Sequence, residues 1–106
     1  MPRTYSKQFI EQLEKSNPNR AGIALAHACV QGNLPAKYVA YALEVTRMTV
    51  FSWFRGAHVR HKNLLKIEAI TDLIESDIAK GILPAKNNAE AKAYLEDMVG
   101  RSFDKK

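Results

Sequence analysis

Hydrophobic positions recur at three- and four-residue intervals along most of the chain, the signature of helices with one apolar face. Phe9, Ile10 and Leu13 mark a first short helix that opens at Ser6, a good N-cap, and stops before N-P-N at 17 to 19. A second begins near Pro18, a residue suited to a first helical turn. It runs to about Gln31, where Gly32 and Asn33 end it. Its small residues Ala21, Ala24, Ala26 and Ala28 allow neighbouring helices to come close. Two short helices follow over about 35–43 and 46–55, the latter stopped by Gly56. After a basic linker, A-H-V-R-H-K, the residues Leu64, Ile67, Ile70, Ile74 and Ile78 keep helical spacing up to Gly81. A break at Pro84 precedes a last helix within 85–100, striped by Ala91, Leu95, Met98 and Val99, and the tail R-S-F-D-K-K is expected to fray. No hairpin dipeptide separates alternating runs, so strands are not expected. The pattern predicts an all-α, compact single domain, 1–106, of five or six helices without internal repeats.

Composition narrows the class further. A chain of 106 residues buries a modest but sufficient core, and 46% hydrophobic with 25% charged residues is ordinary for a soluble globular protein. No run approaches the roughly 20 apolar residues that span a bilayer. The most apolar stretch, Ala21 to Val30, is short and interrupted by His27. The start M-P-R-T-Y-S-K-Q-F has no apolar signal segment, so export and membrane partners are not expected. The single Cys29 has no intramolecular disulfide partner, which suits a reducing cytoplasm, and in A-H-A-C-V it reads as a small core residue.

Charge is unevenly spread. Residues 34–66 hold Lys37, Arg47, Arg55, Arg60, Lys62 and Lys66 against Glu44 alone, a net of +5. Residues 67–83 hold Glu68, Asp72, Glu75 and Asp77 against Lys80, a net of −3. A segregated basic region draws polyanions toward itself.

The stretch V-T-R-M-T-V-F-S-W-F-R-G, 45 to 56, lies in that region and contains no acid. At about 100° per residue, Val50, Trp53 and Phe54 form an inward stripe, with Val45 in the preceding turn. Met48, Ser52 and Arg55 fall on the far side, Phe51 and Thr49 on its flanks, and Arg47 in the first turn. A face that is only solvated would usually include Glu or Asp; this one is cationic and partly apolar. Duplex DNA has the matching chemistry: base acceptors for arginine, thymine methyls for apolar groups, and phosphates on both sides. Ahead of it, L-P-A-K-Y-V-A-Y-A-L sets Val39 and Leu43 on one face and puts small Ala40 where two crossing helices need close backbones. Helix, tight turn and helix at this spacing form a helix-turn-helix.

The stretch L-P-A-K-Y-V-A-Y-A-L-E-V-T-R-M-T-V-F-S-W-F-R-G resembles the phage-repressor family of helix-turn-helix proteins, lambda-repressor-like or XRE-like. Leu34, Val39, Ala40, Leu43, Val45, Thr46, Val50, Trp53 and Gly56 follow the family's order, and N-L-L-K-I-E-A-I, 63 to 70, looks like its next helix. The resemblance implies a DNA-binding unit over about 20–80, with residues 1–19 as an N-terminal helical extension and the helix of 85–100 outside it. It implies that Arg47, Met48, Phe51 and Ser52 face base edges. Thr46 would cap the recognition helix and donate to a phosphate. Lys37, Thr49, Arg55, Arg60 and Lys62 would attract the backbone, with His58 and His61 partly protonated beside it. Two departures stand out. Glu44 occupies a turn position where the family often has Gly, which predicts a non-glycine residue at positive φ, unfavourable by roughly 1 kcal/mol. Ala36 stands where the family commonly has a polar residue, often Gln, so no amide bridge from there to phosphate is expected.

Plainer readings stand beside these. Phe51 is core if an N- or C-terminal helix covers it, and Met48 reads separately as an ordinary exposed methionine. His58 and His61, with His27 and Cys29, lack the paired spacings of a zinc site, so no metal or other cofactor is expected. No Gly-rich phosphate loop, nucleophile with a base, or paired carboxylates on an apolar face assembles, so the expectation is a non-enzyme. The last helix packs either on its own domain or on its counterpart in a homodimer. The expected function is sequence-specific binding of double-stranded DNA by a repressor-like transcriptional regulator. The resemblance points to a phage or bacterial source and to the cytoplasm of the bacterium or infected host cell. The rival is an adaptor or inhibitor that grips a transcription-machinery protein through the same fold.

Overall fold

The computed structural model describes residues 5–16, 20–100 and 102–103. Among these, six helices and no strand occur: α1 (Lys7–Glu14), α2 (Ala21–Gly32), α3 (Ala36–Leu43), α4 (Arg47–Phe54), α5 (His61–Ala79) and α6 (Asn88–Val99). The expected start of the second helix at Pro18 lies outside the described residues; α2 is described from Ala21, behind an extended Arg20. A Cα radius of gyration of 12.8 Å fits one compact domain of this length, for which about 13 Å is usual.

Local chemistry sets the helix ends. Ser6 Oγ accepts from the Phe9 amide to open α1, Thr46 Oγ1 from the Thr49 amide to open α4, and Asn87 Oδ1 from the Glu90 amide to open α6. At α6 the Glu90 carboxylate answers by accepting from the Lys86 amide. The ends of α2 and α3 share one device. Asn33 (φ 56°) and Glu44 (φ 61°) sit in the left-handed region. The next amides, of Leu34 and Val45, then donate back to Cys29 and Ala40 carbonyls at 2.9 and 3.0 Å. The positive φ expected at Glu44 is therefore present in a non-glycine residue.

The linker before the fifth helix is shorter than its hydrophobic spacing suggests. His61 and Lys62 belong to the first turn of α5, and Arg60, extended, precedes it. Periodicity misses this turn because its first apolar residue, Leu64, is only the fourth of the helix. The two described residues of the C-terminal tail also depart from expectation. Phe103 is buried against Tyr41 and Tyr38, with ring centroids 5.5 and 6.5 Å away, and its amide donates to Glu96 Oε2 at 2.8 Å. Ser102 and Phe103 are thus docked rather than frayed; residues 101 and 104–106 lie outside the described residues.

The core runs between α2, α4 and α5. Ile23 and Leu25 of α2, Val50 and Phe54 of α4 and Ile67 and Ile74 of α5 are all essentially inaccessible to solvent, and α2 packs against both α4 and α5. Ala91 and Leu95 of α6 are buried, and Met98 and Val99 pack partly against the same core, with α6 lying on α3. The stripe of α6 is therefore used within its own domain. Tyr94 ties α6 to α5 by donating to Asp77 at 2.5 Å, and the Ala85 amide and carbonyl bond the Gly32 carbonyl and the Asn33 amide side chain.

The backbones of α2 and α4 approach closely at Gly22. A β-carbon added at Gly22 would stand 2.8 Å from the Trp53 carbonyl carbon and collide with its oxygen. Glycine there lets α4 lie directly on α2. Gly22→Ala is expected to cost about 1–3 kcal/mol in denaturant unfolding through forced displacement of α4. Unchanged stability would show that the two backbones have room to spare.

Candidate nucleic-acid interface

The inward stripe of α4 is as its spacing predicts: Val50, Trp53 and Phe54 are buried. The opposite arc presents Arg47, Met48 and Arg55 to solvent, and Met48 is 78% exposed. Ser52 is half-buried on this arc. Thr46 and Thr49 share a hydroxyl–hydroxyl bond of 2.9 Å at the start of the helix, so their oxygens are held together at its positive end. No acid occupies the first turn of α4 or of α5.

Phe51 is half-buried, and its cover comes from the N-terminal extension. Its ring meets Phe9 edge-on at 6.5 Å and Phe54 at 6.0 Å, while Phe9 stacks on Tyr5 at 5.3 Å. Tyr5 anchors the cluster: its buried hydroxyl donates to the Leu34 carbonyl at 2.6 Å. Phe51 therefore combines both readings, one edge packed on α1 and the rest open. Between α1 and this flank lies a cleft of about 520 Å³ rimmed by Gln8, Gln12 and Arg55. The signal in the sequence was the four-residue spacing of Tyr5 and Phe9 beside Ser6.

On the other flank of α4, a cleft of about 540 Å³ runs between the α3–α4 connection and the start of α5. Thr49, His58, Arg60, Lys62 and Lys66 line it, together with the acidic Glu44. The fold thus gathers four of the expected phosphate-attracting residues beside the exposed arc of α4 and adds Lys66, which had no assigned role. His61 is exposed but lies outside this cleft, and Lys37 stands on α3 with its ammonium 5.6 Å from the Tyr38 ring centroid. Ala36 is buried, so its side chain reaches no ligand.

The electrostatics of the cleft run against helix stability. Arg47 opens α4 and Lys62 stands in the first turn of α5, where a cation meets the positive end of the helix dipole at a typical cost of roughly 0.3–1 kcal/mol. An anion bound between the two helix starts would be attracted both by these cations and by the positive helix ends, which would offset that cost. Elsewhere the chemistry is quiet. Cys29 is fully buried, and burial pushes its thiol well above the ordinary range. Among the described residues no three His, Cys, Asp or Glu side chains converge as they would around a metal ion. No helix among them is long and apolar enough to cross a membrane.

No family model matches the chain, and neither the characterised proteins nor the solved structures contain a significant match to it.

Burial raises the Tyr5 hydroxyl far above its ordinary value near 10, and the buried Cys29 thiol and the Asp77-bonded Tyr94 hydroxyl shift the same way. A group raised in the folded state stabilises that state fully below its unfolded value and progressively less above it. Stability should therefore hold through neutral pH and fall from about pH 9 upward, by about 1.4 kcal/mol per unit for each of the buried Tyr5 and Cys29 groups and by less for Tyr94, which is only partly buried. Tyr5→Phe should cost about 1–2 kcal/mol at neutral pH by leaving the Leu34 carbonyl unpaired, and should flatten the alkaline fall. A variant with the same alkaline slope as the parent would contradict this assignment.

Proposed function

We propose that the chain binds double-stranded DNA, with α3, the connection 44–46 and α4 acting as a helix-turn-helix and α4 entering the major groove. The observation that carries this reading is an exposed, acid-free arc of α4, with Arg47, Met48 and Arg55, beside a cleft lined by His58, Arg60, Lys62 and Lys66. A base-reading face needs phosphate contacts next to it to fix register, and Arg60, Lys62 and Lys66 are close enough to the arc to supply them. Arg47 suits guanine acceptors; Met48 and the open edge of Phe51 suit thymine methyls. Ser52 borders the same surface, while Thr46, Thr49 and the cleft cations hold the backbone. The function is binding rather than catalysis, in the service of transcriptional regulation.

The 78% exposure of Met48 favours one rival, a transcription-machinery protein gripped through the same arc. Salt separates the two, since release of counterions from DNA makes its binding fall steeply with ionic strength.

The direct test is selection from a random duplex pool at moderate salt. An enriched motif supports sequence reading, retention without enrichment reduces the protein to a non-specific binder, and no retention removes the DNA reading. On an enriched site, Arg47→Ala should cost about 1–3 kcal/mol and relax one base position. Arg60→Ala should weaken binding to every duplex and shallow the salt slope by about one. Equal losses on all sequences for Arg47→Ala would assign that residue to phosphate instead.

A further inference from the structure

The cleft between α1 and α4, about 520 Å³, is of the size that holds a small organic ligand. Its floor is aromatic. Leu13 and Phe54 are buried beneath it, while Phe9 and Phe51 stand half open with their rings nearly perpendicular, 87° apart at 6.5 Å. Such a pair offers a ring face on one wall and a ring edge on the other, the surfaces against which a flat aromatic group packs. The rim is polar. Gln8 and Gln12 stand one turn apart on the exposed side of α1, and Arg55 completes the lining from the C-cap of α4. Ser6 and Ser16 are committed to the two ends of α1: one hydroxyl oxygen accepts from the Phe9 amide, and the other hydroxyl donates to the Gln12 carbonyl. Among the described residues, nothing engages the Gln8 and Gln12 side-chain amides or the Arg55 guanidinium.

Charge separates this cleft from the one on the other flank of α4. That one gathers Arg60, Lys62 and Lys66 and suits a polyanion; this one holds a single cation, no acid and a ring-lined floor. Its complement is a flat aromatic body carrying one anionic group. The two amides narrow the class, since each offers both donors and an acceptor. A nucleobase edge carries both kinds of group, whereas a plain aromatic carboxylate would leave the amides without partners. A base attached to one phosphate meets all three features: stacking on the rings, an edge for the amides and a phosphate for the guanidinium fork.

We propose that the cleft between α1 and α4 is a binding site for a free nucleoside monophosphate, with the base between Phe9 and Phe51, its edge on Gln8 and Gln12 and its phosphate on Arg55. Arg55 and the open edge of Phe51 also belong to the arc proposed to meet DNA, so on that reading nucleotide and duplex oppose one another. The site itself does not rest on that reading, and it is tested without DNA.

The test is titration of the isotope-labelled full chain with each of the common ribonucleoside 5′-monophosphates up to about 5 mM, a range that reaches weak small-ligand sites. For at least one of them, saturable amide shifts are expected at 6–16 and 51–55 and not at 58–66. The matching nucleoside and inorganic phosphate should each bind more than about tenfold more weakly. Arg55→Gln should bring the monophosphate down to the affinity of its nucleoside, and Gln8→Ala/Gln12→Ala should weaken both. All three positions are exposed, so the unfolding midpoint should not move. Absence of saturable binding overturns the proposal, as do shifts centred on 58–66, which would mark phosphate drawn to the basic cleft. Binding indifferent to both variants overturns the assigned residues. Saturation by indole-3-acetate or by a short oligothymidylate, but by none of the monophosphates, overturns the free nucleotide as the ligand.

Discussion

The contact between Gly22 and the Trp53 carbonyl is the constraint on which the rest of the structure turns. It seats α4 directly on α2, so that Val50, Trp53 and Phe54 complete the core and the other arc of α4 is left outward. Because α2 also carries α5 on another side, one helix fixes the relation between the arc of α4 and the cationic start of α5. A shift of α4 by the width of a methyl group would move both. The stability of the core and the geometry of the candidate interface therefore share one origin.

Around that centre, the two ends of the chain serve as braces. Tyr5 and Phe9 hold one flank of α4 through stacked and edge-on rings, and Phe103 closes over Tyr38 and Tyr41 on α3. Each brace joins an aromatic cluster to a backbone hydrogen bond: the Tyr5 hydroxyl to Leu34, and the Phe103 amide to Glu96. Rings give large buried area with few torsions to freeze, so short segments dock with little entropic loss. α3 and α4 are only eight residues each and would not persist alone; packing from both ends compensates for that.

Much of this was legible in the residues. The helical pattern, the inward stripe of α4 and the core role of Cys29 follow from spacing and local chemistry, which act within a few residues, while the positive φ at Glu44 is expected from the resemblance, in which that turn position is often Gly. What escaped acts across the chain. Gly22 went unmarked beside four alanines, because only the meeting of two helices distinguishes the position that must lack a β-carbon. The cover on Phe51 and the docking of Phe103 depend on partners 42 or more residues away in sequence. The cleft that gathers Thr49, His58, Arg60, Lys62 and Lys66 forms only when α5 begins three residues before its first apolar position.

Arg47 and Lys62 stand at two helix starts that repel them, and an anion placed between them would be attracted by both the side chains and the helix ends. The most direct test is to titrate the isotope-labelled protein with a short duplex at moderate salt and follow each backbone amide by NMR. The account predicts that shifts concentrate at 46–55 and 58–66 and spare α6 and the C-terminal part of α5. Perturbations confined to those spared helices, or none at 46–55, would contradict it.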